Sequence, residues 1–367
     1  MLFLLEILFL IIVFIQVLYY FLLFSRFAFF SDKKAKETKL PISIIVCAKN
    51  EAENLAESLP SIISQKHDNF EIILVNDHST DDTLKIMRFF AEKHSNIKIV
   101  NLTDAQSNGN KKNAITQGVK LAKFEYLLFT DADCVVYSDQ WINEMTSHFT
   151  QENEIVLGYG AYEKTSNSWL NKLVRFETLL TAIQYFSYAK ANLAYMGVGR
   201  NLAYKKTLFL NANGFESHKY IKSGDDDLFI NQVAKNNVAI CFLENSFTYS
   251  KAHTNLKKWI YQKRRHVSTA NAYKLKHKIL LGLFYVSQFL FWFLTVFLMI
   301  AAKNVYFVVT LFVFRIVLQY LIYGLSAKKL KEADLILYLP FLELFLIMIQ
   351  MRIFMGNIFS KPVEWEK

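Results

Sequence analysis

The chain of 367 residues has few of the residues that define several classes of protein. It contains three cysteines, four prolines and eleven glycines, whereas 53% of its residues are hydrophobic. This composition excludes a collagen-like, low-complexity or wholly disordered chain. Cys47, Cys134 and Cys241 are odd in number, widely separated and without metal-ligand spacing, so neither a disulfide framework nor a zinc site is predicted. Such cysteines are typical of a reducing compartment.

Charge is nearly absent from four long stretches. Residues 279–302 carry none, and single charges occur in residues 2–24 (Glu6), 305–327 (Arg315) and 335–351 (Glu343). Because about 20 apolar residues cross a bilayer, the sequence predicts one N-terminal and three C-terminal spans. The first stretch has no basic segment before it and no small-residue cleavage site after it. It is therefore predicted to be a retained anchor and not a signal peptide.

Positive charge flanks these stretches. The chain has 42 Lys and Arg against 32 Asp and Glu, a net charge of +10. The basic residues concentrate in segments 25–40, 251–278 and 328–331. By the positive-inside rule, the polar middle of the chain is cytoplasmic and the protein is a multi-pass protein of the inner cell membrane, with both termini outside if all four spans cross. The rule accounts for the positive charge, so no nucleic-acid partner is predicted.

Two of these charges, Arg315 and Glu343, lie in the predicted C-terminal spans. A charged group facing lipid costs about 3 kcal/mol, so Arg315 and Glu343 are predicted to face other helices, and either each other or a bound head group. A structural pair and a functional pair both remain open. The stretch that contains Glu343 is the shortest, and Pro340 and Arg352 interrupt it. It is either a fourth crossing or a re-entrant or interfacial segment.

The polar middle alternates short β-branched runs with helical periods. Strands are predicted at Ile42–Cys47, Glu71–Val75, Ile97–Val100 and Tyr126–Thr130, with helices near 52–65, 82–94 and 111–122. This order predicts a doubly wound α/β sheet, which binds ligands at the carboxyl ends of its strands. Polar residues follow three of the strands, at 48–51, 76–79 and 131–133.

The phosphate-binding motifs of nucleotide folds are missing. Neither Gly-x-Gly-x-x-Gly nor a Walker-type Gly-Lys-Ser/Thr is present, so a dinucleotide cradle and a P-loop are not predicted. Asp131 and Asp133 instead offer two carboxylates that can share Mn²⁺ or Mg²⁺ with water and diphosphate oxygens. Such a pair is also common in solvated turns. Its place after a buried strand, in register with Asp77, favours the metal site, although Asp77 itself begins a segment that resembles a turn and helix cap.

Three further segments can each be interpreted as part of a ligand site or as ordinary local structure. Lys111 and Lys112 begin a predicted helix, where the dipole disfavours cations, so either an anion lies nearby or the lysines are merely solvated. Gly197–Asn201 places two glycines beside Arg200, which suits either a loop that approaches a ligand or a tight turn. Asp225–Asp227 are three consecutive carboxylates, which is more than the cap of one helix requires. Like charges raise at least one pKa among them, as a general base near neutral pH requires.

Residues 251–278 interleave lysines and arginines with aromatic residues. This pattern predicts an interfacial amphipathic helix whose basic face meets anionic lipid. Arg264 and Arg265 could instead reach the diphosphate of a bound nucleotide and stabilise it as it leaves.

Together, these motifs resemble a membrane-anchored member of glycosyltransferase family 2, with the nucleotide-sugar-binding α/β fold called GT-A. The resemblance runs from Pro41 to His266. Its motifs, in order, are Ser43–Val46 before Lys49–Glu51, Val75–Asp81, Asp131–Asp133, Gly224–Asp227 and Gln262–Arg265.

The resemblance implies roles for these residues. Asp77 would hold the nucleobase, Asp131 the ribose and the metal, and Asp133 the metal. The catalytic base would be Asp225 or Asp226, with Asp226 preferred, because Gly224–Asp227 replaces the family's Glu-Asp pair. Contacts to the nucleotide sugar are expected at Asn50, Glu51, Asp77, Lys112, Asp131, Arg200, Asp227, Gln262, Arg264 and Arg265.

The implied function is inverting transfer of a sugar from a nucleotide-diphosphate sugar, expected to be a UDP-sugar, to a lipid-linked or glycan acceptor at the membrane. His266 stands where processive synthases carry Trp, which favours a single addition. A processive polysaccharide synthase and an inactive nucleotide-binding scaffold are the alternatives. The implied domains are an N-terminal anchor (1–30), a catalytic domain (40–250), an interfacial helix (251–278) and C-terminal spans (279–356).

Overall fold

The computed structural model describes residues 2–31, 39–103, 111–302 and 304–359. Its strands are β1 (Ile42–Ala48), β2 (Phe70–Asp77), β3 (Ile97–Leu102), β4 (Tyr126–Asp131), β5 (Ile155–Leu157), β6 (Gly160–Tyr162), β7 (Leu202–Lys205), β8 (Val238–Ile240) and β9 (Thr248–Ser250). The four strands predicted from the sequence correspond to β1–β4, each slightly longer than predicted. The loop Asn108–Asn110, which precedes the predicted helix at 111–122, lies outside the described residues.

The helices are α1 (Leu2–Leu18), α2 (Ser25–Ala28), α3 (Ala52–Ile63), α4 (Thr83–Lys93), α5 (Lys111–Leu121), α6 (Trp141–Thr146), α7 (Trp169–Lys190), α8 (Lys206–Asn211), α9 (Asp227–Val233), α10 (Leu256–Thr269), α11 (Leu275–Ala301), α12 (Val305–Lys329) and α13 (Leu339–Phe359). A π-helical segment, Tyr19–Phe24, joins α1 to α2, and a 3₁₀ helix, Ala333–Tyr338, precedes α13. The three helices predicted in the polar middle are confirmed as α3, α4 and α5.

The described chain folds into two compact units. The α/β unit comprises residues 39–167 and 192–254, and the helical unit comprises residues 2–31, 168–191 and 255–359, apart from the residues not described. The catalytic domain expected at 40–250 stays a prediction, although α7 lies in the helical unit. Within that unit the Phe186 ring of α7 lies 5.0 Å from Phe27, and Arg175 of α7 forms a buried ion pair with Glu332.

The main sheet of the α/β unit has the order β3-β2-β1-β4-β7-β5-β8. Strands β1–β4 are parallel to their neighbours, whereas β7 runs antiparallel to both β4 and β5. Apolar side chains of β1 are buried on both faces, as in α/β proteins whose sheets are covered by helices. Helix α5 packs closely on β1, since a Cβ at Gly118 would lie 2.8 Å from Ile45 Cγ2. The doubly wound sheet is thus confirmed for its first four strands.

A small second sheet pairs β6 with β9 in parallel. An isolated antiparallel bridge joins Val135 to Tyr249 of β9. The segment that follows β4 is therefore held beside β9, which positions the residues just after Asp131.

Four helical segments of the described chain are long and apolar enough to cross a membrane: Leu2–Ala28, Leu275–Ala301, Val305–Lys329 and Ala333–Phe359. Pro340 is the second residue of α13, where a missing backbone N–H costs nothing, so it does not interrupt the helix. The predicted interfacial helix is shorter than residues 251–278, because residues 275–278 already form the first turn of α11.

A buried polar network connects the long helices. Arg315 of α12 donates to both carboxylate oxygens of Glu343 in α13, at 2.7 and 3.0 Å. The same guanidinium donates to Gln16 of α1, and Trp292 of α11 donates to Glu343 at 3.0 Å. The sequence prediction that Arg315 and Glu343 face other helices is confirmed, and they face each other.

Candidate active site

The strand ends that carry polar residues are neighbours, because β2, β1 and β4 are adjacent in the sheet. Asn50, just after β1, has a left-handed backbone (φ 54°), which Asn tolerates better than most residues. Its side-chain oxygen accepts from the Thr80 backbone N–H at 2.8 Å, and its own N–H donates to Ser79 Oγ at 3.0 Å. Asn50 therefore ties the loop after β1 to the loop after β2. Asp77 is the buried last residue of β2.

Glu51 joins the same two loops through its backbone. Its N–H donates to Thr83 Oγ1 at 2.8 Å, and its carboxylate accepts from Asn54 at 2.5 Å. Asp81 accepts from the backbone N–H of Thr83, the first residue of α4, as expected of a cap in this segment. The contacts to a nucleotide that were expected of Asn50 and Glu51 remain predictions.

A lysine connects the last residue of β4 to the acidic segment that precedes α9. Nζ of Lys111, the first residue of α5, lies 2.5 Å from Asp131 Oδ1 and 3.4 Å from Asp225 Oδ2. Burial opposes the ammonium charge, but the two carboxylates outweigh it and raise the pKa of Lys111 well above its ordinary value. The anion predicted near the start of this helix is therefore present, and it is supplied by the protein itself.

The three consecutive aspartates have different partners. Asp226 caps α9: Oδ1 accepts from the Asp227 N–H and Oδ2 accepts from the Gly199 N–H, both at 2.7 Å. Asp227 accepts from the Leu228 N–H at 2.7 Å. Burial, together with the charges of Asp225 and Asp227, raises the pKa of Asp226 to about 7. Two of the carboxylates thus support the backbone, whereas the carboxylate of Asp225 faces Lys111.

The glycine-rich loop presents bare backbone to these charges. A Cβ at Gly199 would lie 3.5 Å from both Asp226 Oδ2 and Lys111 Nζ. A cleft of about 320 Å³ lies here, and its lining combines an apolar floor with charged groups. The lining includes Ile45, Phe129, Tyr204, Lys111, Asp131, Gly199, Asp225 and Asp226.

Arg200 lies in the same loop but makes contacts within the fold. Its guanidinium donates to the Ala161 carbonyl at 3.0 Å and to Ser250 Oγ at 2.9 Å, and it stacks on the Tyr162 ring at 4.3 Å. These contacts join β6 to β9. Its expected contact with the nucleotide sugar stays a prediction.

The turn after β4 carries carboxylates that suit a divalent ion. No group of three or more His, Cys, Asp and Glu side chains that could hold a metal occurs among the described residues. Asp131 and Asp133 do supply two carboxylates, and the Asp133 side chain is exposed to solvent. Partial loss of water and the charge of Asp131 raise the pKa of Asp133, so a cation there would be favoured. Mg²⁺ and similar ions need only one or two carboxylates when phosphate oxygens complete the shell, so the residues fit.

Lys112 lies on the other side of α5 and is almost fully buried. Its Nζ donates to the carbonyl oxygens of His218 and Ile221, at 2.8 and 2.7 Å. Burial lowers its pKa to about 8. Lys112 thus holds the segment that leads to Asp225, and its expected contact with the nucleotide sugar stays a prediction.

The remaining predicted residues belong to the helical unit. Gln262, Arg264 and Arg265 all lie on α10. Arg264 donates to Asn357 Oδ1 and to the Gly356 carbonyl, both at 2.9 Å, so its guanidinium binds the end of α13. The contacts of Gln262 and Arg265 with a diphosphate stay predictions.

One pair of charged residues was not recognised from the sequence. Lys251 follows β9 and forms an ion pair with Glu57 of α3 at 2.6 Å. In the sequence, Lys251 is only the first member of a basic segment. The bridge between Val135 and Tyr249 places it near Asp133, and a contact between residues so far apart in the chain leaves no local signal.

A doubly wound sheet with carboxylates from β2, β4 and the start of α9 at one rim defines the class as a GT-A domain of the nucleotide-sugar transferases. The model of the family described as glycosyl transferase family 2 matches residues 43–209. The chain therefore carries a glycosyltransferase family 2 domain, which confirms the resemblance drawn from its motifs.

Individual relatives agree with this assignment. A segment of 98 residues is 37% identical to a poly-beta-1,6-N-acetyl-D-glucosamine synthase of Staphylococcus epidermidis, and covers 27% of this chain and 23% of that protein. An uncharacterized glycosyltransferase of Haemophilus influenzae is 26% identical over 199 residues, which are 50% of this chain and 55% of the relative. The chain thus spans between a quarter and about half of the length of these relatives.

Among solved structures, the mannosyltransferase PcManGT of Pyrobaculum calidifontis, in complex with GDP-Man and Mn²⁺, has a similar fold. Its TM-score is 0.59 at 18% identity, with 94% of this chain and 99% of that chain covered.

Proposed function

We propose that this protein is an inverting glycosyltransferase that moves a sugar from a nucleotide-diphosphate sugar to an acceptor hydroxyl at a membrane. The observation that carries the proposal is the cluster of Lys111, Asp131, Asp225 and Asp226 around the bare backbone of Gly199. Opposite charges held at close range beside an open cleft are suited to a reaction in which charge develops on the substrate.

The donor would bind along the strand ends. Asp77 would contact the base, and Asp131 and Asp133 would hold a divalent ion, Mn²⁺ or Mg²⁺. When bound, that ion would offset the negative charge of the diphosphate as the anomeric bond breaks. Asp131 is also paired with Lys111, which holds its carboxylate at the edge of the cleft. PcManGT, solved in complex with GDP-Man, supports a nucleotide sugar as donor, and we propose a UDP-sugar.

The base is one of the two neighbouring aspartates, and their contacts divide the roles. Both oxygens of Asp226 accept backbone N–H groups, which fixes this side chain as a cap. Asp225 lines the cleft beside Lys111 without such backbone bonds in the contacts described above. We therefore propose Asp225 as the base and Asp226 as the residue that positions it, which differs from the preference drawn from the sequence.

A base on the far side of the anomeric carbon from the leaving diphosphate gives one displacement and inversion. Asp225 would accept the proton of the acceptor hydroxyl as the oxygen attacks, in a transition state that resembles an oxocarbenium ion, as in glycoside hydrolysis. Gln262 and Arg265 of α10 are proposed to act on the departing diphosphate.

The acceptor is proposed to be a lipid-linked or other membrane-associated glycan. The four apolar helices support association with the membrane, and the basic segments beside them support a multi-pass arrangement with the α/β unit in the cytoplasm. Single addition is proposed, because His266 replaces an aromatic residue of the processive motif. A polymer synthase is the second candidate, since a relative that shares 37% identity over 98 residues is a polysaccharide synthase.

The proposal is tested with the purified full-length chain in nanodiscs. A panel of UDP- and GDP-sugars is incubated with Mn²⁺ or Mg²⁺ and a lipid-phosphate or glycan acceptor, and the products are resolved by mass and anomeric configuration. We expect metal-dependent transfer of one sugar with inverted configuration, abolished by Asp133→Asn. A ladder of products would establish the polymer synthase, and a retained configuration would contradict the direct displacement. Absence of turnover and of nucleotide binding with every sugar would support an inactive scaffold.

A further inference from the structure

A second recess lies beside Asp133, and the proposed function does not yet use it. It is open to solvent, and its empty volume, open solvent included, is about 480 Å³. Its lining residues are Asn54, Glu57, Asp133, Val135, Glu163, Tyr249 and Lys251. Three of these carry carboxylates and Lys251 carries an ammonium, so the lining is negative overall until a cation binds.

A backbone bridge brings the segments of Asp133 and Lys251 together beside the recess. Val135 and Tyr249 exchange two backbone hydrogen bonds, both 2.8 Å, in an antiparallel bridge. The residue two positions before Val135 and the residue two positions after Tyr249 both line the recess. Those residues are Asp133 and Lys251. The carboxylate of the proposed metal site and an ammonium group therefore extend from facing segments into one recess.

The backbone next to Lys251 is held firmly, whereas its side chain is not. The Ser250 carbonyl accepts from the Glu163 N–H at 3.0 Å, and Ser250 Oγ accepts from Arg200 at 2.9 Å. The Lys251 side chain is 64% exposed and Glu57, its partner, is 50% exposed. An ion pair as exposed as this one contributes little stability, so exchanging its partner costs little. The long flexible stem of lysine also allows the ammonium to move without the backbone.

We propose that Lys251 is an anion-binding residue of the donor site, which leaves Glu57 and contacts the diphosphate of the bound nucleotide sugar. This inference rests on the proposed function and adds a residue to it. A divalent ion at Asp133 would bring the net charge of the recess close to zero. A diphosphate would then meet two cationic groups, the ion at Asp133 and the ammonium of Lys251. An ammonium bound to phosphate forms a charge-assisted hydrogen bond, which is stronger than the exposed pair that it replaces.

The inference is tested by binding to the full-length chain in nanodiscs with Mn²⁺, measured by calorimetry. The ligands are UDP and GDP, each compared with its nucleoside, because only the diphosphates offer the anion. We expect Lys251→Met to weaken diphosphate binding about tenfold and to leave nucleoside binding unchanged. Glu57→Gln, which removes the competing partner, should leave diphosphate binding equal or make it about two- to threefold tighter.

Lys66→Met is the matched control. Lys66 forms an equally short, exposed pair with Asp139, at 2.7 Å, and lines neither the cleft nor the recess. It should change none of the affinities. Equal weakening of diphosphate and nucleoside by Lys251→Met, or no change in either, would overturn the role of Lys251. If the unaltered chain bound neither UDP nor GDP, the proposed function would fail as well, so the two failures are distinguishable.

Discussion

At the scale of single residues, the neighbouring carboxylates Asp225 and Asp226 give the sharpest prediction. Asp225→Asn should lower kcat by about two to four orders of magnitude with little change in stability, because it removes the proposed proton acceptor. Asp226→Asn should lower the free energy of unfolding by about 1 kcal/mol, since an amide cannot accept from both Gly199 and Asp227. Turnover at saturating donor and thermal unfolding of each variant provide the measurements. The reverse pattern, with turnover lost only in Asp226→Asn at unchanged stability, would return the base to Asp226.

Lys112 gives a second prediction at this scale. Lys112→Met leaves two buried carbonyl oxygens without their donor, so we expect a loss of about 2 kcal/mol of stability. Because the segment concerned leads to Asp225, kcat should fall while the affinity for the donor changes little, and Lys112→Arg should restore part of both. Lys120→Met, on the exposed side of the same helix, serves as the control. A selective rise in the dissociation constant of the donor would instead support the ligand contact expected from the sequence.

The cleft itself can be tested at Gly199. Gly199→Ala places a methyl group 3.5 Å from both Asp226 Oδ2 and Lys111 Nζ, at ordinary contact distance, so the fold should tolerate it. The methyl group occupies space beside the charged groups where a substrate would react. We expect kcat/KM to fall at least tenfold while the unfolding temperature stays within about 2 °C. Unchanged kinetics would place the reaction elsewhere.

At the scale of helices, the network around Arg315 and Glu343 predicts how the helical unit responds to mutation. Arg315→Met leaves the buried carboxylate without its charged partner and should destabilise the unit by about 3 kcal/mol. The double replacement Arg315→Met with Glu343→Leu removes both charges and should recover most of that loss. Thermal unfolding in nanodiscs measures the effect, with Arg352→Met on the exposed side of α13 as the control. A double variant less stable than either single one would show that the pair stabilises beyond mutual neutralisation.

The same scale shows what the sequence could and could not predict. Strands β1–β4 carry long β-branched runs and lie in repeated strand–helix order, so local pattern sufficed for them. Strands β5, β6, β8 and β9 have three residues each, which is too short for a periodic signal, and only pairing defines them. Helix α7 has no clear apolar stripe, so its assignment to the helical unit was not visible.

The site divides in the same way. Asp131, Asp133 and Asp225–Asp227 follow or precede regular elements, and their chemistry could be inferred from position. The structural contacts of Arg200 and Arg264, and the partner of Lys112, depend on residues about 40 to 110 positions away along the chain. A cation beside a glycine or in a basic segment carries no local sign of such a partner.

At the scale of the whole molecule, the four apolar helices predict a topology. If each crosses once, reporters fused at the two ends should both lie outside, and a reporter in a surface loop of the α/β unit should lie in the cytoplasm. Alkaline phosphatase is active only outside the cytoplasm, whereas the fluorescent protein is fluorescent only inside it. Each fusion position is therefore measured by two reporters with opposite expected signals. A cytoplasmic C-terminus would mean that α13 does not cross.

The route of the chain through α7 has a practical outcome for anyone who wishes to study the α/β unit in water. Trimming α1, α2 and α10–α13 leaves α7 in the middle of the fragment, between β6 and β7, without the helices that pack on it in the intact protein. The buried Phe186 ring, for example, loses its contact with Phe27. Such a fragment should aggregate. A soluble version would need α7 excised as well and its ends rejoined by a flexible linker.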